Sequence, residues 1–367
     1  MDRLYIAATS QHVGKTTSTL GLMAAIRNRN LKVGYCKPVG QEFVDLGDLK
    51  VDKDALLFAR GMNFELKADL HSPVIIGRGV TSRYLDDPGN FDFASSIQYA
   101  SRQLQAEYDA VIYEGTGHPG VGSVCDMSNA QVAQLLSAPV IMIVEGGIGK
   151  TIDKLNMNLA LFRERRVPVR GVIINKVLPE KLEKVQHYVG KYLDKINIPL
   201  LGVMPYDKSL SSPIMATIRH AVKGVTLIHK DRLDNRAEHI ASGDLLKKEE
   251  GRSRPNSVVI TSWSRLEGTI DSLCDLIETQ RMPEDTLSGI VVTVREGELR
   301  QQERQADLPG REFLDRLKIP VVVTELDTYA AAVKINRMEV KINLRTPWKI
   351  RKAVEMIDQH VDLSSLF

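Results

Sequence analysis

Ile6-Ala7-Ala8-Thr9-Ser10-Gln11-His12-Val13-Gly14-Lys15-Thr16-Thr17 is the stretch on which the fold turns. An apolar run, a short polar loop, Gly-Lys-Thr and then an amphipathic segment follow in the order a phosphate-binding loop requires: strand, loop, helix. Backbone N–H groups of such a loop and of the helix start converge on phosphate oxygens. Gly14 allows close approach of the main chain, Lys15 supplies a point charge, and the Thr16 hydroxyl is placed to ligate Mg2+. Gln11, His12, Val13, Gly14, Lys15, Thr16 and Thr17 are therefore the candidate nucleotide-binding residues. Thr9 stands where the standard spacing has its leading glycine.

Outward from the loop, short apolar runs alternate with longer amphipathic ones. Strands are expected at 4–8, 32–36, 110–113, 140–144, 171–174 and 200–203, and helices at 15–29, 128–136, 151–165 and 179–196. Near-continuous apolar strands suit a sheet buried on both faces. The expectation is an α/β fold: a phosphate-loop NTPase-type, mostly parallel sheet with helices on both faces, followed by a smaller α/β domain. The polar stretch Pro205-Tyr206-Asp207-Lys208-Ser209 marks the break, giving domains at 1–208 and 209–367. Ser211-Ser212-Pro213 reads as a helix start. Beyond it, strands are expected at 225–228, 258–261, 290–294 and 321–324, with helices near 213–222, 265–280, 310–317 and 326–335. A strand at 339–344 and a helix at 348–359 close this second domain. The charged run 247–252 reads as a solvated loop. Gly149-Lys150-Thr151 also follows a strand and opens a helix, and reads as a tight turn, since one phosphate loop already fills that role.

Two acidic positions complement Thr16. Glu114 ends the apolar run 110–113 beside Gly115, and in phosphate-loop enzymes a carboxylate at such a strand end holds Mg2+ directly or through water. Asp54 opens the periodic segment after Val51. A helix-start acid explains it nearly as well, and Asp52 fits that role too. Thr16, Asp54 and Glu114 form the candidate metal set.

The bulk numbers narrow the class further. The 367 residues carry 49 Lys plus Arg against 46 Asp plus Glu, a net charge of +3, which supports neither a nucleic-acid nor an anionic-membrane partner. Cys36, Cys125 and Cys274 are widely spaced and make no CxxC pair, pointing to free thiols in a reducing compartment. No run approaches the ~20 apolar residues of a membrane span, and the first strand leaves no room for a signal peptide. A cytoplasmic protein is expected.

Several further motifs appear in order. Lys37-Pro38-Val39 follows the second strand, Gly146-Gly147-Ile148-Gly149 precedes a helix, Asn175 ends the strand after Gly171, and Gly202-Val203-Met204-Pro205 closes the series. Together with the loop, Asp54 and Glu114, they make roughly residues 1–210 resemble the dethiobiotin synthetase family. The resemblance implies ATP and Mg2+ as cofactors and Lys37 against the substrate, so that Lys15 and Lys37 become the candidate catalytic residues. It also implies Asn175 at the adenine edge and a homodimer. Ser10 and His12 replace the family's acidic loop residues, and Thr116 to Ser123 replaces its short glycine pair. That longer loop, with Asp126 to Ala130, looks more like the segment in front of phosphotransacetylase catalytic domains, and it is similar to cobyrinic acid amide synthases. Residues about 211–330 resemble the small DRTGG domain through Pro213 to Ala221, Val258 to Thr261, Leu287 to Val292 and Ile319 to Thr324. Thr261-Ser262-Trp263-Ser264-Arg265 takes the place of its signature.

Two functions are compatible with these residues. One is an ATP-dependent enzyme, a ligase or ATPase that activates a small acid by phosphoryl transfer. The other is a nucleotide-sensing regulator whose second domain binds an effector or partner. His12 and His118 are candidate proton carriers near the phosphates, or plain loop histidines. Trp263 and Trp348 are candidate stacking surfaces in the second domain, or packing anchors.

Overall fold

In the computed structural model, residues 2–45, 50–243, 255–280, 287–299, 308–338 and 340–364 are described. The run 247–252 and part of the 339–344 segment lie outside them. The chain divides into two compact units, Met1–Asp207 with Ile342–Phe367, and Lys208–Lys341.

The first unit is built on a six-stranded sheet in the order Leu200–Pro205, Val169–Val177, Val140–Glu145, Asp2–Ala8, Ala110–Glu114, Val33–Cys36. Every neighbouring pair is parallel. Val140 to Val144 are all buried, as helix-covered strands demand. From the central strand Asp2–Ala8 the chain first moves to the Val33–Cys36 edge and later returns past the centre to the other side. The carboxyl end of that strand is thus a topological switch point, where open α/β sheets bind ligands. Register puts Ile6 beside Glu114, so the phosphate loop and the acidic strand end leave neighbouring strands.

Helix Phe93–Glu107 was not anticipated, although Asp92 caps it through the Ser95 N–H and Ile97, Ala100, Ser101 and Leu104 form its buried stripe. Helix Lys15–Arg27 buries Ser18 to Met23 together with Ala25 and Ile26. Such burial nearly all round requires cover beyond the sheet. That cover is the helix Pro347–His360, expected in the second domain but part of the first unit. A Cβ added at Gly21 would stand 2.4 Å from Ile357 Cγ1 and 2.7 Å from the Ala353 carbonyl, so the two helices meet at backbone distance. Beyond the helix, Asp362 N–H donates to the Leu201 carbonyl at 2.8 Å on the sheet's edge strand. Trp348 accordingly belongs to the first unit. The strand expected at 339–344 is absent among the described residues 340–344, which have no ladder partner.

The second unit has five strands in the order Val225–Ile228, Val321–Thr324, Leu287–Thr293, Ser257–Ser262, His239–Ser242. The first pair is antiparallel and the rest are parallel. Alternation sends Val259, Ile290, Val292, Val321 and Val323 into one core, and Val258, Ile260, Val291 and Val322 into another. Helices therefore cover both faces. The expected helix start at Pro213 lies slightly later, at Met215, because Ile214 is extended and bridges Arg236. The strand His239–Ser242 was not anticipated; four residues carrying one isoleucine give little period-2 signal.

Candidate active site

The loop between Ala8 and Lys15 ends on Gly14, whose φ of 97° caps the first helix in the left-handed region. A Cβ there would fall 2.2 Å from Asn175 Nδ2, so both the backbone angle and the neighbour demand glycine. Val13 is buried, and its carbonyl accepts from Asn175 Nδ2 at 2.8 Å. Gln11 and His12 are exposed, His12 with φ 60°, while Lys15, Thr16 and Thr17 are partly exposed at the helix start.

Thr16 Oγ1 donates to Glu114 Oε1 at 2.8 Å, and Tyr35 OH donates to Glu114 Oε2 at 3.2 Å. Glu114 is fully buried, and that burial raises its pKa, while Lys37 and Lys15 pull it down. Tyr35, stacked on Phe58 with centroids 3.8 Å apart, had no sequence signal as a site residue beyond its place on a strand next to Lys37. Lys37 is 6% exposed, hydrogen-bonded to Asp54 and 3.6 Å from Asp52 Oδ1. Burial works to lower its pKa, but Asp54, Glu114 and Asp52 outweigh it and raise the value. Asp52, itself buried, caps helix Lys53–Met62 by accepting the Asp54 N–H at 2.8 Å. Its carboxyl is raised by burial against the pull of Lys37. Lys15 is partly exposed yet closely surrounded, and desolvation brings it down to about 8 against the attraction of Glu114.

The donor set Thr16, Asp54 and Glu114 consists of hard oxygens, two of them carboxylates. That fits Mg2+, which keeps several waters and takes one or two carboxylates beside substrate phosphates. Among the described residues no three His, Cys, Asp or Glu side chains gather into a metal cage, so an ion here would rest on the two carboxylates, the hydroxyl and ligand oxygens.

The loop after Glu114 is held by Asn129, which the sequence marks within the Asp126 to Ala130 stretch and at a helix start but gives no role in the site. Its Oδ1 accepts from the Thr116 N–H at 2.9 Å and from Tyr5 OH at 2.8 Å, and its Nδ2 donates to the Thr116 and His118 carbonyls. Thr116 Oγ1 donates to the Val39 carbonyl at 2.6 Å, joining this loop to the Lys37-Pro38-Val39 segment. His118 is exposed, and its Nδ1 accepts from the Gly120 N–H at 3.2 Å. Thr151 of the second Gly-Lys-Thr donates its hydroxyl to the Glu145 carbonyl, within the turn itself. Trp263 packs against the second unit's core. No helix among the described residues is long and apolar enough to cross a membrane.

The chain is similar to several known proteins. A phosphate acetyltransferase of Synechocystis is 22% identical over 380 residues, covering 98% of this chain and 50% of the relative. A probable cobyric acid synthase of Methanocaldococcus jannaschii is 27% identical over 244 residues, covering 57% of this chain and 46% of the relative. The chain thus spans about half the length of the curated relatives it matches. Among solved structures, the MinD cell division protein of Aquifex aeolicus overlays with a TM-score of 0.36 at 13% identity, covering 57% of this chain and 84% of that one. The AAA domain family AAA_26 matches residues 2–214, the stretch that carries the phosphate loop, Lys37, Glu114 and Asn175, and the chain belongs to that family.

Proposed function

We propose that residues 2–214 bind Mg·ATP and that the chain uses it to activate the carboxylate of a small acid, as a ligase or ATPase. The observation that carries this reading is the meeting of Thr16, Glu114, Lys37 and Asp54 beside the phosphate loop at the switch point of the sheet. Lys15 and the loop N–H groups hold the phosphates. Thr16, Glu114 and Asp54 hold Mg2+, which when bound spreads the charge that develops on the transferred phosphoryl group. Tyr35 and Thr16 orient Glu114. Beyond its bonds to Val13 and Lys176, the Asn175 amide keeps one N–H and one oxygen lone pair for a base edge. Lys37 meets the anionic end of the acid. The same reading takes the protein as a cytoplasmic homodimer, and residues 208–341 as a DRTGG-like regulatory module.

One observation favours a second reading. Lys37 is already held by Asp54 and Asp52. A cation so engaged must exchange partners before it meets a substrate, which suits a sensor that binds ATP and turns it over slowly or not at all. Phosphate release from Mg·ATP, measured with a panel of diamino and dicarboxylic acids beside Lys15→Ala, separates the two. Turnover with one acceptor that vanishes in the variant establishes the ligase. Tight binding without turnover establishes the sensor, and no binding by the wild type ends both.

A further inference from the structure

Two consecutive residues at the end of strand Val169–Val177 hold two consecutive carbonyls of the phosphate loop. Asn175 Nδ2 donates to Val13 O at 2.8 Å, and Lys176 Nζ donates to His12 O at 2.5 Å. Both ends of the second contact have positive φ, as do several other residues of the chain. His12 has φ 60° and Lys176 has φ 58°, the left-handed region that residues with a Cβ seldom enter. The Lys176 ammonium is also 3.8 Å from Glu145 Oε1, a carboxylate at the end of the neighbouring strand. The lysine thus has an acidic neighbour on the sheet side while it holds the loop. The Asn175 carboxamide oxygen accepts the Lys176 N–H at 2.8 Å, which ties the two contacts into one unit.

We infer that Lys176 is a positioning residue of the phosphate loop. Through the His12 carbonyl it maintains the left-handed turn that sets the direction of the following N–H groups, from Val13 to Lys15, toward a phosphate chain. It acts through His12 and touches no reacting atom. Because the phosphate chain is what those N–H groups meet, the ligand class it serves is a di- or triphosphate, irrespective of the base. The inference rests on the nucleotide-binding reading above and deepens it. Neither charge balance nor motif spacing marks Lys176, since one lysine after a strand is ordinary.

The test compares the full-length wild type with Lys176→Met and Lys176→Arg. Hydrogen exchange of the peptide spanning 9–17 is followed without ligand, Mg·ADP and pyrophosphate binding are measured by calorimetry, and melting is recorded. Losing one charge-assisted hydrogen bond predicts roughly tenfold faster exchange in that peptide and a roughly tenfold weaker hold on both probes in the Met variant. Arginine, which keeps a cationic donor, restores most of both, and the melting temperature stays at the wild-type value. Unchanged exchange in the 9–17 peptide overturns the inference whatever the binding shows. A loss that arginine does not recover, accompanied by a lower melting temperature, overturns it as well, since that is the behaviour of a general packing element. If the wild type binds neither probe, the nucleotide reading fails while the exchange measurement still decides the role of Lys176.

Discussion

Lys15 is held under conflicting demands. Its ammonium is positioned for phosphate, yet without phosphate it sits among groups that desolvate it, and its pKa falls to about 8. A lysine with a depressed folded-state value stabilises the fold only above its unfolded value, near 10.4, and that contribution is lost as pH falls through about 8. At neutral pH the charged side chain is thus a burden on the ligand-free protein. Lys15→Met is expected to lose nucleotide binding while melting no lower than the wild type at pH 7. Between pH 8 and 10 the wild type gains on the variant, because its folded state has already released the proton. Melting curves across that range check both points, and a variant much less stable at pH 7 would falsify the account. The loop residues and Glu114 were legible in the sequence because their chemistry is tied to short spacing and a strand end. Tyr35, Asn129 and Lys176 were not, because their partners lie 79, 11 to 124 and 164 positions away in the chain.

Helices set the next scale, and here the contact between Lys15–Arg27 and Pro347–His360 governs. The phosphate loop enters the first of these helices, and the second covers its outer face. With the Ile357 side chain and the Ala353 carbonyl within 2.7 Å of where a Gly21 Cβ would stand, backbone has to move if any side chain is added. Overpacking of this kind costs about 1–3 kcal/mol. In a unit of this size that corresponds to a drop in melting temperature of roughly 2–4 °C for each kcal/mol. Gly21→Val is expected to show it, and a chain ending at Lys341 is expected to bind a hydrophobic dye and melt lower still. Unaltered melting in both would mean that the C-terminal helix contributes nothing to the nucleotide-binding unit. The helix itself was visible from its apolar spacing, with Ala353, Met356 and Ile357 buried. Periodicity identifies an apolar face, but not the surface that face will cover.

At the scale of the whole molecule, two units share one chain, and the first is discontinuous in sequence. Residues 208–341 have two hydrophobic clusters of their own on the two faces of their sheet. The isolated segment 208–341 is therefore expected to fold alone, with a single cooperative melting transition. The segment 1–207 alone, lacking its C-terminal helix, is expected to be the less stable piece. Circular dichroism of the two fragments decides, and an unfolded 208–341 would show that its two cores are insufficient. If the second unit carries an effector, its coupling to nucleotide binding in the full chain should reach about 1–3 kcal/mol.

The sequence alone determined the α/β class, the phosphate loop and most strands of both sheets, and it marked a glutamate at a strand end. All of these depend on local pattern: apolar runs, turn residues, and motif spacing within one strand–loop–helix unit. Tertiary structure decided that the last helix returns to the first unit, that Lys37 is held between two aspartates, and that Asn175 and Lys176 clamp the loop. The physical reason is range. Hydrogen bonds, ion pairs and helix contacts between distant segments are chosen by the packing of the whole unit, and no local period in the chain encodes which partner a polar group will find.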